Sequence, residues 1–197
     1  TTLAIGADGN DGTASNAGHV RVYKYNGTAW TKLGDDIDGE AADDNSGWSV
    51  SLSSDGKTVA IGANLNDGTA SDAGHVRVYS WNGSAWTKLG GDIDGEAADD
   101  YSGGSVSLSS DGTTLAIGAI YNDGTASNAG HVRVYSWNGS AWTKLGGDID
   151  GEAADDYSGG SVSLSSDGTT LAIGAPYNDG TASDAGHVRV YSWNGSA

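Results

Sequence analysis

Five carboxylates crowd into the nine residues DIDGEAADD at 148–156: Asp148, Asp150, Glu152, Asp155 and Asp156. The cluster recurs as Asp92, Asp94, Glu96, Asp99 and Asp100, and as Asp36, Asp38, Glu40, Asp43 and Asp44. Ca2+ takes roughly 6–8 oxygen ligands, and carboxylates gathered around a glycine turn suit it. Asn122 and Asp123 of a neighbouring loop offer further oxygens. The spacing is not that of the helix–loop–helix calcium motif, D-x-[DN]-x-[DN]-G. The competing reading is a solvated acidic loop, its middle aspartate capping backbone amides or pairing with a buried arginine. Nothing in the sequence requires a cofactor, and Ca2+ is the candidate ion.

Other residue sets carry weaker chemistry. Histidine and arginine alternate with valine in H-V-R-V-Y, giving His19 and Arg21, His75 and Arg77, His131 and Arg133, and His187 and Arg189. No nucleophile repeats beside the histidine in an evident triad, so a structural role is expected. The arginine would bond a carboxylate between units, as buried arginines require, and the histidine would close a loop end. Asn26, Asn82, Asn138 and Asn194 each open an N-G-[ST] sequon and are candidate glycosylation acceptors. The turn alone also explains Asn-Gly. Trp81, Trp86, Trp137 and Trp142 flank that turn. They read as cross-strand packing, with sugar stacking or contacts between units as the functional alternative.

These residues are positioned by a repeat. GHVRVY begins at Gly18, Gly74, Gly130 and Gly186, a period of 56 residues. Each unit reads as four short strands, for example SVSLSS, TTLAIGA, HVRVYSW and AWTKLGG, with Asp-Gly and Asn-Gly as tight hairpin turns of the I′ kind. Apolar residues at helical spacing are absent, and Gly, Ser, Thr and Val dominate. Four-stranded antiparallel units in tandem predict an all-β fold of propeller blades; a stack of hairpins in a β-solenoid is the alternative. Small residues in SVSLSS suit an inner strand, and Tyr and Trp in the later strands suit the periphery. The expected division is a partial blade with its following loop at 1–48, blades at 49–104 and 105–160, and a partial blade at 161–197. About three and a half blades belong to a larger propeller or array, completed by further blades of a longer chain or by other copies.

A meander alternates its connections between two ends. Of 26 acids, only Asp55, Asp111 and Asp167 fall in the short turns; the others fall in or beside the long loops. One strongly acidic face is therefore expected. The formal charge of −17 disfavours nucleic acid and anionic membranes. No apolar run is long enough to span a membrane. With no cysteine, disulfide and thiol chemistry are excluded.

The pattern W-x-K-L, D-x-D-G-E-A-A-D-D-Y-S-G-G-S-V-S-L-S, D-G-T-T-L-A-I-G-A-P and G-H-V-R-V-Y resembles the FG-GAP repeat, in the tandem variant of extracellular proteins. The name-giving positions stand here as Ser158-Gly159-Gly160-Ser161-Val162 and Ile173-Gly174-Ala175-Pro176. Ser158 replaces the phenylalanine. The resemblance covers the whole chain. It implies a seven-bladed propeller related to the integrin α head, placement outside the cell or at its surface, and adhesion or ligand binding. The family's calcium loop, between the first two strands, has shrunk here to SSDG, and that site is not carried over.

Three functions compete. The first is a non-enzymatic structural or adhesive module whose acidic face meets cations, glycans or cell-surface proteins. The second is a subunit that assembles through open blade edges into a fibre or sheath. An enzyme on a propeller scaffold is third, because near-identical blades offer no unique pocket.

Overall fold

The computed structural model describes residues 1–196. The first unit holds β1 (Thr2–Ala7), β2 (His19–Tyr25), β3 (Trp30–Lys32) and β4 (Ile37–Asp38). The second holds β5 (Ser49–Leu52), β6 (Thr58–Ala63), β7 (His75–Trp81), β8 (Trp86–Lys88) and β9 (Ile93–Asp94). In the third come β10 (Ser102–Leu108), β11 (Thr114–Ala119), β12 (His131–Trp137), β13 (Trp142–Lys144) and β14 (Ile149–Asp150), and in the fourth β15 (Ser161–Leu164), β16 (Thr170–Ala175) and β17 (His187–Ser192). Each unit is its own antiparallel meander, with sheet orders β1-β2-β3, β5-β6-β7-β8, β10-β11-β12-β13 and β15-β16-β17. These are propeller blades, as the sequence predicts.

Two local expectations need correction. The acidic segment is not wholly loop. After β13 the chain bulges outward through Gly146, at φ 69°. It then rejoins the sheet, where Ile149 lies opposite Val132 and Asp150 opposite His131. The Asn-Gly hairpins are also not two-residue turns. Trp137 pairs with Trp142 across four residues, and only Gly139 takes positive φ. Asn138 instead accepts from the amides of Ser140 and Ala141, a side-chain turn that needs no left-handed asparagine.

The core lies between blades. Alternation puts Val76 and Val78 on one face of β7 and His75, Arg77 and Tyr79 on the other. The valines join Leu115 and Ile117 of the next blade. Val20 and Val22 meet Val59 and Ile61 in the same way, as Val132 meets Leu171 and Ile173. Each side chain so buried is worth about 1.5–3 kcal/mol. The inner strands touch along the axis. Ser51 Oγ accepts from Leu108 N and Ser107 Oγ from Leu164 N, both at 3.0 Å. This is why that strand is small and hydroxylated.

One glycine at each junction sets how closely blades stack. A Cβ on Gly118 would lie 2.2 Å from the carbonyl oxygen of Gly159 in the next blade, and on Gly62 it would lie 2.1 Å from that of Gly103.

At the periphery the indole Nε1 of Trp86 donates to Leu33 O at 2.8 Å and that of Trp142 to Leu89 O at 2.9 Å, each across a blade junction. Trp142→Phe keeps a six-membered aromatic ring but loses the pyrrole ring and its N–H, which leaves Leu89 O without this donor. A loss of about 1–2 kcal/mol is expected in urea denaturation.

Candidate functional site

The long loops gather at one end of the blades. The loop after β11 runs beside the segment after β14, with Gly151 N donating to Gly130 O, Asp155 N to Ser127 O and Ser158 N to Ala129 O. The loop after β11 is folded by its own side chains. Asn122 Oδ1 accepts from Gly124 N and Asp123 Oδ1 from Asn128 N. Asn128 Nδ2 then donates to Asp155 at 2.8 Å. Asp99 and Asp155 sit at φ 65° and 61°, a conformation aspartate tolerates.

The acids of each cluster divide by position. Asp44, Asp100 and Asp156 are buried. Asp156 accepts from Ala153 N and from Asn178 Nδ2 of the next blade, and Asp100 does the same with Ala97 and Asn122. Asp36, Asp92 and Asp148 lie at the outer-strand bulge, paired with Lys32, Lys88 and Lys144 at 2.7–2.8 Å. Hydrogen bonds from Arg21 and Lys32 hold the Asp36 carboxyl far below the usual carboxylate range. Burial opposes ionisation of Asp148, but Lys144 and Arg133 outweigh it and its pKa falls. Asp38, Asp94 and Asp150 belong to the outer strand. Asp43, Asp99 and Asp155 are exposed at the face.

Glu40, Glu96 and Glu152 reach across the junction to the arginine of the next blade. Glu40 lies 3.2 Å from Arg77 and Glu152 3.7 Å from Arg189; Glu96 pairs with Arg133. Arg77 also donates to Asp38 O at 2.8 Å and Ser46 Oγ at 3.3 Å. The arginine therefore bonds carboxylates between blades. Arg21 pairs with Asp36 in its own blade. Beside these pairs, three groups bring a histidine and two carboxylates within 4.8 Å: His19, Asp36 and Asp38; Glu40, His75 and Asp92; Glu96, His131 and Asp148. Ca2+ prefers a larger, all-oxygen set, and guanidinium groups already bond carboxylates in each group. His187 approaches Glu152 at 3.8 Å.

Burial lowers the pKa of His75 and His131. Arg77 adds to this at His75, where Asp92, Glu40 and Asp44 oppose it. At His131 Lys144 adds to it, and Asp148, Asp100 and Asp150 oppose it. With folded values below the unfolded one, the unfolded chain binds protons first as pH falls. Stability is therefore expected to drop from about pH 6.5 downward, by at most about 1.4 kcal/mol per pH unit for each proton. Urea melts between pH 7 and 5 would show it, and the double variant His75→Asn and His131→Asn would flatten the slope.

Asn26, Asn82, Asn138 and Asn194 are exposed at turn tips. The sequon hydroxyls of Thr28, Ser84, Ser140 and Ser196 donate to their asparagines at 2.8–3.0 Å. Trp81 and Trp86 stack tilted at 5.5 Å, Trp137 and Trp142 at 5.6 Å. A cleft of about 270 Å3, lined by Val134, Leu145, Ile149, Tyr191 and Trp193, lies between the third and fourth blades. Its walls are the counterparts of those that hold Trp86 and Trp142, so it is a junction feature.

Four tyrosines form a feature that the sequence motifs do not single out. Tyr101, Tyr121, Tyr157 and Tyr177 form a continuous ladder, with ring centroids 4.8, 5.2 and 5.3 Å apart and planes at 75–80°. The signal was present, since Tyr precedes Ser-Gly-Gly and Asn-Asp-Gly at the repeat period.

The FG-GAP repeat model matches residues 37–79, 93–135 and 149–191. No curated protein matches the chain. Among solved structures, a protein described as a candidate 6-phosphogluconolactonase of Bacteroides uniformis is 14% identical, with a TM-score of 0.63 over 99% of this chain and 52% of its own. The periplasmic gluconolactonase PpgL of Pseudomonas aeruginosa is 15% identical, with a TM-score of 0.56 over 98% of this chain and 50% of its own. The chain thus spans about half the length of these structures, and at such identity the likeness concerns the fold alone.

Proposed function

This chain belongs to the FG-GAP repeat family, and from that premise we propose that it is a non-enzymatic structural or adhesive module. It works outside the cell or at its surface, where its acidic loop face meets cations, glycans or protein partners. The observation that carries the reading is repetition. Near-identical blades bring the same exposed carboxylates to one end, and among the described residues no blade holds a catalytic set that the others lack. In the second blade Asp72 stands where the third has Asn128, so it faces Asp99 as a like charge. Burial, Asp67 and Asp99 raise its pKa. Such a site favours a cation. Thermal melting with Ca2+ is expected to exceed a Mg2+ control, by about 2.7 kcal/mol at a hundredfold excess over Kd. Equal melting in both would remove calcium from the reading. Turnover of gluconolactone, the compound class named by the structurally similar proteins, would overturn its non-enzymatic part.

A second reading is assembly through the end blades. Leu3 and Ile5 of β1 are 42% and 47% exposed, and Val188 and Val190 of β17 are 66% and 67% exposed. In the middle blades these positions pack on each other. Further blades of the repeat, in the same chain or another copy, would cover them. Sedimentation velocity tests this: Val188→Glu with Val190→Glu would abolish any self-association.

A further inference from the structure

The tyrosine ladder lies among the carboxylates of the acidic face. Tyr101 and Tyr121, with Ala98, Asp99, Asp123 and Asn128, line a hollow of about 190 Å3. Tyr177, at the other end, is 51% exposed. Tyr101 and Tyr157 take φ 55° and 53°, which is uncommon for a bulky side chain. The first unit places Asn45 at the equivalent position with φ 55°. Asparagine accepts that conformation readily, so the aromatic ring at 101 and 157 is not there for the backbone. Among the described residues, no lysine, arginine or histidine forms an ion pair with Asp67, Asp72, Asp99, Asp123 or Asp155.

We propose that the ladder and its flanking carboxylates bind an amine-bearing polysaccharide of the glucosamine class, laid along successive blades. The apolar faces of sugar rings pack on the phenol rings, ammonium groups meet Asp99, Asp123 and Asp155, and hydroxyls donate to carboxylate oxygens. A neutral glycan would leave the carboxylates without counter-charge. An extended basic peptide would bring one main-chain carbonyl per residue to a hollow whose side-chain donors are limited to two phenols and Asn128. A homopolymer also matches a site that repeats with the blades. The proposal rests on the acidic-face reading and narrows it to one ligand class.

The test is isothermal titration with glucosamine hexamer, its N-acetylated counterpart and lysine hexamer. Wild type is compared with the variant Tyr101→Asn, Tyr121→Leu, Tyr157→Asn and Tyr177→Leu. Each new residue is the one the chain itself carries one or two units earlier, at Asn45 and Leu65; an unchanged melting curve confirms the fold. Glucosamine hexamer is expected to bind wild type, and to lose about tenfold or more in the variant. The N-acetylated hexamer is expected to bind at least tenfold more weakly than the amine. Amine binding that ignores the variant, or that N-acetylation leaves unchanged, overturns the ladder proposal. If lysine hexamer binds as tightly and is equally sensitive to the variant, the ladder is a peptide site and the proposal falls. If it binds while the glucosamine hexamer does not, the acidic-face reading stands alone. If neither binds, both fall.

Discussion

Gly118→Ala is expected to destabilise the protein by about 3 kcal/mol, and Gly174→Ala by less than about 1 kcal/mol. The two glycines share one sequence context, LAIGA, and one place in the blade. A methyl on Gly118 would meet Gly159 O at 2.2 Å and Gly159 C at 3.0 Å. That is backbone of the neighbouring blade, which yields only if the blades separate. On Gly174 the nearest atom would be Ser161 Oγ at 2.5 Å, with the next at 3.8 Å, and a hydroxyl rotor turns aside at little cost. Neither glycine has positive φ, so the contrast isolates the close approach between blades. Urea denaturation of the two variants measures it. Equal losses would contradict the stacking.

Arg77→Ala is expected to cost about 3 kcal/mol, and Arg21→Ala less than about 1 kcal/mol. Both arginines lie in HVRVY. The side chain of Arg77 is 5% exposed and that of Arg21 44%. Removing Arg77 leaves Asp38 O and Ser46 Oγ without a donor inside a blade junction. Glu40 is half exposed and turns to water, so the loss comes mainly from the buried acceptors and lost packing. Arg21 leaves behind an Asp36 still paired with Lys32. Thermal or urea melts of the two variants read the difference.

Much of this was legible because the repeat supplies three or four readings of each position. Period-2 alternation in HVRVY placed valine on one face and His, Arg and Tyr on the other, and the structure seats arginine between blades. What misled was local chemistry with two solutions. Asn-Gly predicts a left-handed asparagine, but the Asn138 side chain satisfies the turn and only Gly139 takes positive φ. In sequence Ile149 belongs to an acidic loop because one apolar residue between aspartates carries no period; only the valine opposite it restores the strand. The acids of one cluster looked like one ligand set. The fold parts them into a buried staple at Asp156, an ion pair at Asp148, an inter-blade bond at Glu152 and a surface group at Asp155. The tyrosine ladder required knowing that residues 20 positions apart in sequence, such as Tyr101 and Tyr121, meet at one end of the sheet.

The most direct test of the central claim, a ligand-binding face at one end of the blades, uses two matched variants. One changes Asp67, Asp123 and Asp179 in the long loops to asparagine. The other changes Asp55, Asp111 and Asp167 in the short turns. Each removes three of 26 acids. Each also keeps a side-chain acceptor for the amide that its aspartate caps. Binding to an amine-coated surface is measured at rising salt. The long-loop variant is expected to lose affinity about tenfold and to show a shallower salt dependence, while the short-turn variant binds as wild type does. Equal losses in both would mean that net charge alone does the binding, and that the blades present no functional face.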